Sequence, residues 1–176
     1  MAREIPFNSA SDGDASAELR QLLLDQMGDL LHAENQLIKA LPKMVKAAHS
    51  PTLRRGFSEH LEQTRGHVQR LQEAFELLGA KAKAIPCPGM KGLVEEGAET
   101  ISDGKDMPEA CADLALIIAA QKVEHYEISG YGSLRTLADR LGESRVARLL
   151  ADNQAEEEQA DELLTQAAQP LFEQAA

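Results

Sequence analysis

Apolar residues recur at three- and four-residue steps through four long stretches of this chain, and only one of the three connections between them is long. That pattern leaves few folds open, because each amphipathic stripe must be buried against another. The first stripe runs Leu19, Leu23, Met27, Leu30, Leu37 or Ile38, Leu41 and Val45, in a helix expected over about residues 15–48. Pro42 lies inside it and predicts a kink. His49-Ser50-Pro51 ends that helix. Ser50 suits an N-cap, and Pro51 suits the first position of a second helix over about 51–78. The second stripe is Leu53, Phe57, Leu61, Val68, Leu71, Phe75 and Leu78, with Gly79 as a C-terminal cap. A third helix is expected over about 107–141, closed by Gly142. A fourth follows over about 143–168, with Val146, Leu149, Leu150 and Leu164 turned inward.

Residues 79–106 differ. They carry Pro86, Pro88, Gly89, Gly92, Gly97 and Gly104 around one short amphipathic piece near 90–102. Simple up-and-down bundles have three short loops, and cytokine-type bundles have two long crossovers. One long crossover after the second helix describes the ferritin-like bundle. The expected fold is therefore all-α: a ferritin-like four-helix bundle over about 15–170, with a short extra helix in the crossover. Residues 1–14, rich in Ser, Asp, Asn and Gly, read as a flexible N-terminal tail. With aromatics at 3% and no Trp, a β-rich core is not expected.

The charge balance narrows function. A net charge of −11 argues against nucleic acid and against an anionic membrane surface as partners. No apolar run reaches a membrane-spanning length, and the first 14 residues lack the apolar segment of a secretory signal. Cys87 and Cys111 stand in no metal or redox spacing, which suggests a reduced pair and a cytoplasmic setting. Leu77, Leu93, Val94 and Ile101 add apolar area beyond what one core needs, so a homodimer is expected.

The informative residues are charges on the apolar stripes. Glu34 interrupts the first. Glu124 and Glu127, three apart, share a face of the third. Glu157 and Asp161, four apart, sit on the fourth, where the stripe reads Leu150, Gln154, Glu157, Asp161 and Leu164. The second helix turns His60, Thr64 and His67 inward. Buried carboxylates protonate or pair, and no Lys or Arg lies on these stripes to pair with them; Lys39, Arg65 and Lys122 lie off them. Two cations would neutralise five carboxylates, and carboxylates with one or two imidazoles suit iron or manganese. Di-iron bundles commonly carry Glu-x-x-His on two helices. This sequence has none, and Glu157 and Asp161 are the weaker pair, because acidic runs such as Glu156-Glu157-Glu158 are usually a solvated face.

The segments Ala33-Glu34-Asn35-Gln36-Leu37, His60-Leu61-Glu62-Gln63-Thr64, Gln121-Lys122-Val123-Glu124-His125-Tyr126-Glu127-Ile128 and Glu156-Glu157-Glu158-Gln159-Ala160-Asp161 resemble the YciF/YciE-type ferritin-like family over about residues 16–168. The resemblance implies a dimeric bundle linked to bacterial stress responses, with a dimetal centre and no established reaction. Carried over residue by residue, it implies Glu34, His60, Glu124, Glu127, Glu157 and Asp161 as metal ligands, with His67 the second choice on the second helix. Thr64 stands where rubrerythrin-like relatives have a carboxylate. Tyr131 shares a face with Glu127 and is a nearby proton or electron donor in this reading.

Overall fold

The structure, a computed structural model, describes residues 12–175. The tail expected over 1–14 lies outside the described residues up to position 11; the first helix begins at Asp12. Helix α1 spans Asp12–Ala47, α2 Pro51–Leu77, α3 Pro88–Asp103, α4 Glu109–Arg140 and α5 Ser144–Ala175, and a 3-10 turn at Gly104–Asp106 follows α3. No strand occurs among the described residues, and no helix there is long and apolar enough to cross a membrane.

The boundaries follow from local chemistry. Ser50 Oγ accepts from the Leu53 N–H at the start of α2. Gly79 and Gly142 adopt φ of 62° and 77°, and each closes its helix with paired bonds from the glycine N–H and the N–H after it, Ala80 to Phe75 and Glu143 to Ala138. Helix α1 continues through Pro42. Helix α5 runs through Pro170 to Ala175, beyond the expected end near 168, and buries Ala168 and Leu171. The crossover helix is longer than the expected 90–102 piece. It starts with Pro88 as its first residue, and the Cys87 thiol caps it by accepting from the Met90 N–H.

Helices α1 and α2 form one hairpin and α4 and α5 the other. The hairpins pack so that α1 lies on α4 and α2 on α5, a closed four-sided ring. Every neighbouring pair is antiparallel. The end of α1 meets the start of α4, where Asp113 accepts from the N–H groups of His49 at 2.8 Å and Ser50 at 2.6 Å. Glu34, earlier in α1, bonds Tyr131, later in α4. Likewise His67 of α2 reaches Glu156 and His60 reaches Glu157, while Arg70, further along α2, reaches back to Asn153. This arrangement leaves α2 and α4 parallel on a diagonal, so the chain must return the full length of the bundle between them. Helix α3 covers that distance over α1 and α4. Where the return begins, the Ile85 N–H bonds the Gly28 carbonyl at 2.9 Å, and a Cβ at Gly28 would stand 2.7 Å from the Lys83 carbonyl. Leu93, Val94 and Ile101, expected as surplus surface, pack into the core under α3, and Leu77 packs at the other end.

The core is in two parts. Leu37, Leu41, Met44, Leu53, Phe57, Leu116, Ile117 and Leu164 form one apolar cluster. Leu23, Met27, Leu30, Leu71, Phe75, Leu134 and Leu150 form the other. Between them lies a layer of buried polar side chains.

Candidate metal centre

Each long helix contributes to that layer: Glu34 from α1; His60, Thr64 and His67 from α2; Glu124 and Glu127 from α4; Asn153 and Glu157 from α5. The two histidines are seven residues apart, two turns of one face, so each addresses a different level of the layer. Glu34, His67 and Glu157 bring one ligand atom each within 4.8 Å of one another, and His60, Glu124 and Glu157 do the same. The two sets share Glu157. His67 Nδ1 lies 2.8 Å from Glu157 and 3.2 Å from Glu34. His60 Nε2 lies 3.4 Å from Glu124 and 3.6 Å from Glu157.

Nearly all of these atoms converge without hydrogen bonding. Among the described residues, nine buried side-chain atoms lack a partner, and of these Gln154 Oε1 alone lies outside the two sets and Glu127. The others are Glu34 Oε2, His60 Nε2, His67 Nδ1, Glu124 Oε2 and both oxygens of Glu127 and Glu157. His67 Nδ1 is close to two carboxylates, yet neither oxygen lies where a ring N–H points; its attraction to them is of charge.

The outward nitrogens are held. His67 Nε2 donates to Glu156 at 2.9 Å. Arg70 donates to that same carboxylate and to Asn153, whose amide donates to the His67 carbonyl at 3.4 Å. His60 Nδ1 faces Gln63 Oε1 at 3.4 Å. Each ring thus turns its other nitrogen to the interior, and loss of the proton there leaves the tautomer a metal ligand needs. The Tyr131 hydroxyl donates to Glu34, and the Thr64 hydroxyl is spent on the His60 carbonyl at 2.9 Å.

Charge follows burial. Glu124 is pushed well above the usual carboxylate range by burial and then by the Glu157 charge. Burial and then the Glu34 charge do the same to Glu127. Burial also raises Glu34, with His67 pulling the other way. Burial alone would raise Glu157, but His67 and His60 beside it bring it below its usual value. Burial works against the His67 imidazolium, yet Glu157 and Glu34 hold it to about 10. Tyr131 is raised by burial and by Glu34, so its phenol keeps its proton.

The expected ligands Glu34, His60, Glu124, Glu127 and Glu157 therefore meet in one layer. Asp161 does not join either set. It is partly exposed, accepts from Gln121 at 3.0 Å, and lies 3.5 Å from His125. The inward positions of α5 are Asn153 and Ala160, one residue from the expected Gln154 and Asp161. Four buried carboxylates, not five, thus face the interior, and two divalent cations would balance them. His67 and His60 are not alternatives; each serves one set. Arg70 and Glu156 were not singled out by sequence. The signal available was Glu156 preceding Glu157 in α5, with Arg70 one turn after His67 in α2. His32 is partly buried and accepts from the Cys87 N–H at 3.1 Å.

A family model for a domain of unknown function, DUF892, matches residues 18–176. Protein YciF of Escherichia coli is 39% identical over 151 residues, which covers 85% of this chain and 90% of that protein. The crystal structure of the Escherichia coli stress protein YciF superposes with a TM-score of 0.84 at 38% identity, covering 88% of this chain and 97% of that one. YcfI of Rhodopseudomonas palustris, described as a candidate structural protein, superposes with a TM-score of 0.79 at 35% identity over 92% of this chain and 98% of that one. A Xanthomonas campestris protein shares the fold at 20% identity and a TM-score of 0.68, over 88% of this chain and 93% of that one.

Proposed function

This chain belongs to the DUF892 family, with YciF of Escherichia coli as a relative over most of its length, and from that premise we propose that it is a stress-linked protein holding a dinuclear iron or manganese centre. The observation that carries the reading is the pair of three-residue sets sharing Glu157, with their ligand atoms buried and unpartnered. A polar layer that served only to fix helix register would satisfy its own hydrogen bonds.

Glu34 and His67 would hold one ion and His60 and Glu124 the other, with Glu157 common to both and Glu127 beside Glu34 in the same layer. When bound, such a pair would supply Lewis acidity and a redox couple toward peroxide or oxygen. The chain's own residues prepare the site. Glu156 and Gln63 orient the imidazoles. The apolar clusters on either side exclude water. Tyr131 keeps a proton at its phenol oxygen, directed at Glu34. Binding requires the His67 Nδ1 proton and the protons on Glu124 and Glu127 to leave, so uptake should release protons. Both cysteines are free, which suits a reducing, cytoplasmic setting.

Elemental analysis of the purified protein, with anomalous maps across the manganese and iron edges, tests the reading. Two equivalents at the layer are expected; no uptake of either metal overturns it. Peroxide consumption then separates a redox role from storage. The second reading is a metal-free structural protein, and the description of the Rhodopseudomonas palustris neighbour favours it. A homodimer belongs to the proposal too: Leu19, Leu22, Ile118, Leu163 and Phe172 are exposed. A monomer by light scattering at micromolar concentration would overturn that part.

A further inference from the structure

The two ligand sets differ in how they meet the outside. Glu34, His67 and Glu157 line none of the principal cavities described, and Tyr131 and the Arg70–Glu156 pair close over them. His60 and Glu124, by contrast, line two. One is an apolar cavity of about 50 Å³ beneath α3, walled by Leu37, Leu41, Met44, Val94, Ile101 and Val123. The other is a cleft of about 210 Å³ between α2 and α5, and besides apolar side chains it carries Thr52, Glu59, Gln63 and Gln159.

We propose that the α2–α5 cleft is the route by which divalent cations reach the buried layer, arriving first at His60 and Glu124. This rests on the metal-centre reading above. A hydrated cation sheds water only where other oxygens replace it. The cleft's donor atoms run from exposed to buried: Glu59 and Gln159 are exposed, Gln63 is half-buried, and Glu124 and His60 are buried with Oε2 and Nε2 unpartnered. Arg55, the one Lys or Arg on the wall, is exposed at the rim, 4.0 Å from Glu59, where solvent screens its charge. The apolar cavity under α3 offers no such sequence, and its one charge besides Glu124 and any protonated His60 is Lys43, which repels a cation. Gln63 both faces the cleft and orients His60, so the wall and the first ligand are built together.

Each cavity contains a glycine that can carry a plug. A Cβ at Gly56 in the cleft, or at Gly97 beneath α3, meets nothing within 4 Å. Metal-free protein would be mixed with Mn²⁺ or Co²⁺ under anaerobic conditions, and uptake followed by stopped-flow proton release and by Co²⁺ absorption. Gly56→Leu should slow uptake about tenfold, a barrier change of about 1.4 kcal/mol, with final stoichiometry unchanged. Gly97→Leu should leave the rate as in the wild type. Should Gly56→Leu fold poorly, Gly56→Cys modified after folding with methanethiosulfonates of increasing size gives the same plug, with wild type treated identically as the control for Cys87 and Cys111. An unchanged rate in the plugged cleft, or slowing by Gly97→Leu alone, overturns the route and leaves the metal centre standing. No binding by the wild type overturns both.

Discussion

Replacing Glu127 with methionine should stabilise the metal-free protein and lose most of that advantage once metal is bound. Both Glu127 oxygens are buried without a partner, and burial, followed by the charges of Glu34, Glu157 and Glu124, raises the carboxyl well above its usual value of 4.5. Leaving one such group unsatisfied costs about 1–3 kcal/mol, and apolar replacements of similar volume for buried ionic groups have gained about 1–4 kcal/mol. Methionine should therefore stabilise the metal-free protein by about 2 kcal/mol. At about 2–4 °C per kcal/mol for a chain of this length, Tm should rise by about 4–8 °C. The pH dependence has a definite sign. A carboxyl raised in the folded state binds its proton more tightly folded than unfolded. Its contribution is fully present below the unfolded value and is lost as pH rises through the folded one. The advantage of the variant should thus widen between about pH 5 and pH 8. With metal at about 100 times its Kd, the wild type gains about 2.7 kcal/mol, and a variant lacking Glu127 forfeits part of it. Calorimetric melts with chelator and with Mn²⁺, at both pH values, supply the comparison. A metal-free variant less stable than wild type at the higher pH would refute the reasoning, because it would mean that the carboxylate is satisfied where it sits.

Glu124→Ala should keep the helical circular dichroism and lose the His60-side ion, leaving at most one metal equivalent, whereas Glu157→Ala should lose both; elemental analysis distinguishes them. Asp161→Asn should leave metal content unchanged, since Asp161 lies outside both sets. Asp113→Ala should destabilise the fold by about 2–4 kcal/mol in denaturant melts, because it removes the buried carboxylate that accepts two charge-assisted bonds from the half-buried α1–α2 turn.

The bundle was legible because its punctuation is chemical. Ser50-Pro51, Gly79 and Gly142 mark the ends by mechanisms that need no tertiary context. The YciF-type resemblance read from Gln121 to Ile128 is borne out by the family match and by the relatives over most of the chain. Glycines hid the full length of α3: Gly92 and Gly97 look like breakers but face open space within a helix. The register of α5 was undecidable from pattern alone. Between Leu150 and Glu157 both Asn153 and Gln154 are polar amides at allowed steps, and between Glu157 and Leu164 a small Ala160 competes with an acidic Asp161. Packing chose Asn153 and Ala160, the amide being drawn inward by Arg70 and the His67 carbonyl. That contact spans 83 residues, so no local window contains it. The run Glu156-Glu157-Glu158 likewise resolves only in three dimensions, into one residue paired with Arg70, one buried and one exposed.

A core cut across its middle by buried polar atoms without partners should not behave as one cooperative block. Both apolar clusters draw on both hairpins, so each can hold its own end of the bundle together. Ordinary helices fray from their tips inward. Here the weakest stretch of the metal-free protein should be the waist, at the turns carrying Glu124, Glu127 and Glu157, with amide hydrogen exchange there outpacing exchange in the helical turns on either side. Cations bridging the waist would join the two halves into a single unit, so that occupancy is reported in the slowing of mid-helix amides and in the sharpness of the melt.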